Sequence, residues 1–197
     1  MRLAVLASGS GTILEAMING GIPIVFVLTD RKCAATDIAL HHGIDHALVE
    51  RERFDKDFDR KGYTIQIRDI LFERKIDLVA MAGFGTILEQ PIYEAYGNNV
   101  LNTHPSLLPS FPGWNAVEDA IRYGVKVTGC TVHVATKDVD AGPILAQEAI
   151  TVSPDDSVLT LHERIKTIER RLYLKTIRDI MEQGQVVIPK GKEIKPT

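Results

Sequence analysis

The chain has 197 residues, a formal charge of −3 and 45% hydrophobic residues. That length and apolar content suit one domain with a sizeable core, and the mild acidity argues against nucleic-acid binding, whose surfaces are usually basic. No apolar run approaches the ~20 residues of a membrane helix, and the widely separated Cys33 and Cys130 offer neither a disulfide framework nor a metal cluster, so they read as buried thiols of a cytoplasmic protein.

Arg2 and the apolar run after it faintly imitate a signal peptide, but the run is too short for one and reads as a first strand over 3–7. A Gly-rich turn and an amphipathic segment to Ile18 follow. Residues 24–29 form a second buried strand, a helical stretch runs to His42, and a short strand lies near 47–49. Apolar spacing at Ile65, Ile67, Ile70 and Leu71 predicts a helix over 63–74. Short apolar runs at 78–81 and 100–103 are two more strands. Strands alternating with helices and buried on both faces imply a parallel sheet with right-handed crossovers. The last third differs. The Val-, Ile- and Thr-rich runs 126–134 and 144–150 are separated by a connection too short for a parallel crossover, which predicts an antiparallel pair. A long helix is expected from Ser157 to about Met181, then a frayed tail over 189–197. The fold class is α/β, a Rossmann-like open and mostly parallel twisted sheet with helices on both faces and an antiparallel C-terminal portion, as a single domain over 1–197.

Ligands of such sheets sit at the carboxyl ends of the strands. Ser8-Gly9-Ser10-Gly11-Thr12 follows the first strand and opens a helix, where backbone N–H groups and the helix dipole favour an anion. A dinucleotide fingerprint would place a third small residue where Leu14 stands, although Asp30 lies at the spacing of a ribose-binding acid. A phosphomonoester fits the turn better, and a tight turn without ligand is the bland alternative.

Asn102-Thr103-His104-Pro105 ends another strand. Two residues apart, Asn102 and His104 share a face, and Pro105 holds His104 extended. Pro105, Pro109, Pro112 and Gly113 make a stiff loop, with the sole tryptophan, Trp114, as either a lid or a cap on the core. An amide N–H and an imidazolium can together stabilise the oxyanion of acyl transfer to an amine, and His suits proton transfer near neutrality. The alternative is a capping Asn beside a structural His. Farther on, Asp138 and Asp140 are both candidates to support His104, and His133 by itself reads as structural.

Taken together, these pieces resemble the folate-dependent formyltransferases. The most specific are Asn102-Thr103-His104-Pro105-Ser106-Leu107-Leu108-Pro109 and Asp140-Ala141-Gly142-Pro143-Ile144. Ser8-Gly9-Ser10-Gly11, Met81-Ala82-Gly83-Phe84 and Glu169 support them. The resemblance implies transfer of the formyl group of 10-formyltetrahydrofolate to the amine of 5-phosphoribosylglycinamide in purine synthesis, with Asn102, His104 and Asp140 catalytic and no metal. It assigns ribonucleotide binding to Gly11, Thr12, Ile13, Lys166, Thr167, Ile168 and Glu169. Folate binding falls to Arg60, Gly85, Thr86, Ile87, Leu88, Asn102, Thr136, Lys137, Asp138, Val139 and Asp140, although Arg60 also reads as an ordinary surface cation. It selects Asp140 over Asp138 and removes the need for a dinucleotide. Partners are then small molecules, with no nucleic acid or membrane, and a homodimer stays open. The chain departs from the common pattern at Ile13, where Asn is frequent, at Gly85-Thr86, where Met-Arg is frequent, and at Arg170, where His is frequent. Formyltetrahydrofolate hydrolases and methionyl-tRNA formyltransferases share parts of the pattern but carry an extra N-terminal or C-terminal domain that this chain is expected to lack. A non-catalytic nucleotide- or folate-binding module is the rival from another class.

Overall fold

The computed structural model describes residues 1–53 and 55–189. Thirteen α and β elements build the fold. They are β1 (Leu3–Ala7), α1 (Thr12–Asn19), β2 (Ile24–Thr29), α2 (Ala34–His41), β3 (Asp45–Leu48), α3 (Arg60–Glu73), β4 (Leu78–Met81), α4 (Gln90–Tyr96), β5 (Val100–His104), α5 (Ala116–Tyr123), β6 (Val127–Val134), β7 (Ile144–Thr151) and α6 (Val158–Gln183). Most expected elements fall within a few residues of their sequence positions. β3 starts two residues early, and α3 starts at Arg60 because the Asp59 side chain caps it by accepting from Gly62 N. α4 and α5 went unpredicted: each is short, and α5 buries only Ala116, Val117 and Ala120. The expected frayed tail lies outside the described residues except for Pro189.

The strands form one sheet in the order β3-β2-β1-β4-β5-β6-β7. The pairs from β3 to β5 are parallel, while β5–β6 and β6–β7 are antiparallel. Only β6 runs against the rest, so the antiparallel character predicted for the C-terminal pair extends inward to β5.

Alternate residues of a strand face opposite sides of its sheet, and here each side has its own core. Leu3, Val5 and Ala7 pack with Leu14, Met17, Tyr173 and Ile177 beneath α1 and α6. Ala4 and Leu6 pack with Phe26, Ile67, Leu71 and Ile92 beneath α3 and α4. β1 and β4 are therefore apolar at every position and buried throughout. Cys130 is buried as expected, but Cys33 is only half-buried, because it precedes α2 as its N-cap rather than lying within the sheet. No helix among the described residues is long and apolar enough to cross a membrane.

This order puts the topological switch between β1 and β4. From β1 the chain moves outward to β3, then returns to the other side of β1. The loops after β1 and β4 diverge there and leave a crevice. They are stitched at its base, where Ser8 N donates to Gly83 O at 3.1 Å and Gly85 N donates to Ser8 Oγ at 2.5 Å.

Candidate active site

A cavity of about 400 Å³ opens at the carboxyl ends of β1, β4 and β5. One wall is the turn into α1. Gly11 caps that helix with φ +69°, and among the described residues no side chain caps its first amides. A β-carbon at Gly11 would lie 2.7 Å from Ile38 Cδ1 and 3.0 Å from Ala35 Cα. Glycine is thus required both by the left-handed backbone and by the close approach of α2.

The reactive side chains come from β5, β6 and the β6–β7 connection. The β5–β6 register sets Asn102 opposite His133. Asn102 Nδ2 lies 3.2 Å from His133 Nε2, and His133 Nδ1 donates to Val134 O at 2.9 Å. Asp140 closes the group: Oδ2 is 3.3 Å from His104 Nδ1, and Oδ1 is 3.6 Å from His133 Nε2. His104 Nε2 lies 2.8 Å from Phe111 O. Asp140 Oδ2 also accepts from Gly113 N at 2.8 Å.

Burial pushes the Asp140 carboxyl up, but hydrogen bonds from His133 and the Gly113 amide, with the nearby histidine charges, outweigh it and leave the group below the usual carboxylate range. The connection that presents Asp140 is tightly built. Asp140 adopts φ +56°, a conformation Asp tolerates better than most residues. A β-carbon at Gly142 would stand 1.8 Å from Val134 O, so only glycine lets the chain turn there.

α6 supplies the opposite wall. His162, Lys166 and Glu169 recur at helical spacing and line the cavity on one face. Glu169 is buried, and Thr103 Oγ1 donates to it at 3.0 Å. Its carboxyl is raised by burial, which outweighs the Thr103 hydrogen bond and the charges of Lys166 and Arg170. Lys166 Nζ pairs with Glu163 at 2.8 Å, and burial together with the Lys166 charge holds the His162 imidazole down.

Most residues expected at a site converge here. Gly11, Thr12, Ile13, Lys166 and Glu169 line the cavity, as do Thr86, Ile87, Leu88, Thr136, Val139 and the trio Asn102, His104 and Asp140. Six lie outside its lining. Thr167 Oγ1 donates back to Glu163 O, and Ile168 packs against the cluster around Cys130 and Val117, because both point off the cavity face of α6. Lys137 and Asp138 are exposed in the connection before β7. Gly85 sits behind the wall against Ser8. Arg60 opens α3 with Nη1 3.8 Å from Glu89 and its Nε buried without a partner among the described residues. Trp114 lines the cavity at 75% exposure, so it stands at the mouth rather than capping the core.

Several cavity residues escaped sequence reasoning, His133, Thr103 and His162 among them. His133 was read as structural, yet it lies between Asn102 and Asp140. Thr103 and His162 were not singled out; the spacing of His162 before Lys166 and Glu169 was the available signal.

A cavity at the switch point of an α/β sheet, with an uncapped helix N-terminus at one end and an Asn-His-Asp cluster in its wall, defines an enzyme of group transfer. The chain belongs to the formyl transferase family, whose model matches residues 1–177. It is 39% identical over 192 residues to a phosphoribosylglycinamide formyltransferase of Mycobacterium tuberculosis, covering 95% of this chain and 88% of that one. It is 41% identical over 200 residues to the human trifunctional purine biosynthetic protein adenosine-3, covering 98% of this chain and 19% of that protein. The crystal structure of glycinamide ribonucleotide transformylase 1 from Symbiobacterium toebii superposes with a TM-score of 0.87 at 36% identity, over 96% of this chain and 91% of that one.

Proposed function

We propose that this chain transfers the formyl group of 10-formyltetrahydrofolate to the amine of 5-phosphoribosylglycinamide, a step of purine synthesis. The observation that carries the reading is the contact of His104 with Asp140, beside Asn102, between an anion-accepting helix terminus and an apolar loop. The names of the similar proteins point to the acceptor and the formyl group; the folate donor is what the family resemblance implies.

The ribose phosphate is held by backbone amides of Gly11, Thr12 and Ile13, with Lys166 across the cavity. Ile13 costs little there, because the amides rather than its side chain bind the anion. The buried Glu169 carboxyl accepts from the glycinamide end. The pterin lies along Ile87 and Leu88 and against the connection carrying Thr136, Val139 and Asp140.

The deprotonated amine attacks the formyl carbon, and the oxygen gains negative charge. Asn102 donates to that oxygen. His104 has two acceptors around its ring, the Asp140 carboxylate at Nδ1 and the Phe111 carbonyl at Nε2. The transfer step uses the imidazolium form, in which Nδ1–H faces the carboxylate and Nε2–H faces the carbonyl. The Nε2–H is then the donor for the formyl oxygen, which takes the place of the Phe111 carbonyl. Asp140 holds the resulting imidazolium in place. As the tetrahedral intermediate collapses, the proton released by the attacking nitrogen passes to the folate nitrogen that departs, and the formyl group stays on the glycinamide.

Steady-state assay with both substrates tests this. Equal yields of tetrahydrofolate and formylated ribonucleotide are expected. Folate product without the amine indicates hydrolysis, turnover only with charged methionyl-tRNA indicates a tRNA enzyme, and either result overturns the proposal.

A further inference from the structure

Asp30 directly follows β2 with a side chain at 0% exposure, and the transfer chemistry leaves it unused. Its Oδ2 accepts from Thr86 Oγ1 at 2.8 Å, a contact 56 residues apart in sequence. Arg31 grips the same carboxylate with Nε at 3.1 Å and Nη2 at 3.3 Å. A β-carbon on Gly85 would lie 3.1 Å from Arg31 Nη2 and 3.3 Å from Ser8 Oγ, so a side chain there would push the guanidinium aside by a few tenths of an ångström. Gly85-Thr86, one of the chain's departures from the common formyltransferase pattern, thus lies against Asp30 and Arg31.

The Asp30 side chain is buried while Arg31 is 42% exposed, so the ion pair itself adds little net stability, but a buried carboxylate must keep its hydrogen-bond donors and so selects one arrangement of the chain around it. The arrangement selected here is the loop 83–88, whose Phe84, Thr86, Ile87 and Leu88 line the cavity. Thr86 is wholly buried and its hydroxyl turns back toward Asp30. It therefore acts on the cavity from behind, by pinning the backbone.

We infer that Asp30 and Thr86 are positioning residues for the folate half of the site, with Arg31 clamping Asp30 and Gly85 leaving room for the clamp. This rests on the proposed folate reading of that half. The ribonucleotide half is built from α1 and α6 and meets this loop only at the base of the crevice, through Ser8 with Gly83 and Gly85; neither Asp30 nor Thr86 bonds to it, so the two halves respond differently.

Isothermal titration of wild type, Thr86→Val and Thr86→Ser with 5-formyltetrahydrofolate tests the inference, with steady-state kinetics alongside. Loss of a hydrogen bond to a charged group corresponds to about tenfold or more. Thr86→Val is expected to weaken folate binding and raise folate KM by that factor, leaving ribonucleotide KM and kcat at saturating folate within about twofold. Thr86→Ser restores the hydroxyl and is expected to recover most of the affinity. Unchanged folate affinity in Thr86→Val, or equal loss for both substrates, overturns the inference. Where Thr86→Val gives no folded protein, Asp30→Asn decides: hydrogen exchange should quicken across 83–88 and stay unchanged at Gly11 and Thr12, and equal change in both regions overturns the inference. A wild type that binds no folate would instead defeat the functional reading itself.

Discussion

His104 Nδ1 lies 3.3 Å from Asp140 Oδ2, with the two side chains 6% and 5% exposed. The pair joins a strand end to a loop 36 residues later and shields the contact from water, where an electrostatic interaction is stronger than at the surface. It makes the cluster one unit, and its members are expected to fail together.

Asn102→Ala and His104→Ala should each lower kcat by ~10²–10³, the usual cost of removing one oxyanion donor. Asp140→Ala should lose at least as much, and the His104→Ala/Asp140→Ala double variant should lose less than the product of the single effects. Single-turnover rates on purified variants check this. Near-normal turnover in either single oxyanion-donor variant would remove them from the mechanism.

Asp140 also shapes acid stability. Its carboxyl lies below its ordinary value, so its stabilising contribution is complete above the unfolded value of about 3.9 and is lost as pH falls through the lower, folded value. Urea midpoints measured from pH 6 down to pH 3 should fall more steeply for wild type than for Asp140→Asn. Parallel curves would mean that the histidine contacts do not hold the charge.

Glu169 predicts the opposite slope. Burial raises its carboxyl, so its contribution is fully present below the unfolded value of about 4.3 and is lost as pH rises through the folded value. Glu169→Gln should therefore match wild type in denaturant midpoint near pH 4 and exceed it at pH 8. The same variant should raise ribonucleotide KM at least about tenfold, since a charge-assisted contact is lost. A variant less stable than wild type at pH 8 would contradict the burial argument.

Gly142→Ala should be among the most damaging single-methyl changes in the chain. Its β-carbon would stand 1.8 Å from Val134 O, in backbone that cannot step aside as a flexible side chain would. A loss of at least ~2 kcal/mol is expected, with kcat falling as Asp140 moves from His104. Thermal unfolding and kcat of the purified variant measure both effects.

Local order was legible in the sequence, because strand burial, helix periodicity and capping are short-range properties. Leu78–Met81 was readable as four apolar residues, and α6 as a long helix after Ser157, whose side chain indeed accepts from Thr160 N. The residue types of the site were legible for the same reason: Asn102 and His104 are two apart on one strand, and Lys166 and Glu169 lie three apart on one helix. What no local pattern contained was the partner of each group. Asp140 was separated from Asp138 by family resemblance; the tertiary structure sets Asp140 3.3 Å from His104 and leaves Asp138 exposed. His133 reads as structural until antiparallel pairing sets it opposite Asn102. Asp30 stood at the spacing of a ribose-binding acid, a role the family resemblance made unnecessary, and its actual partner, Thr86, is brought to it across 56 residues by the β1–β4 switch. The sequence by itself determined the elements and the chemical groups; pairing order in the sheet, a long-range property, decided which groups touch.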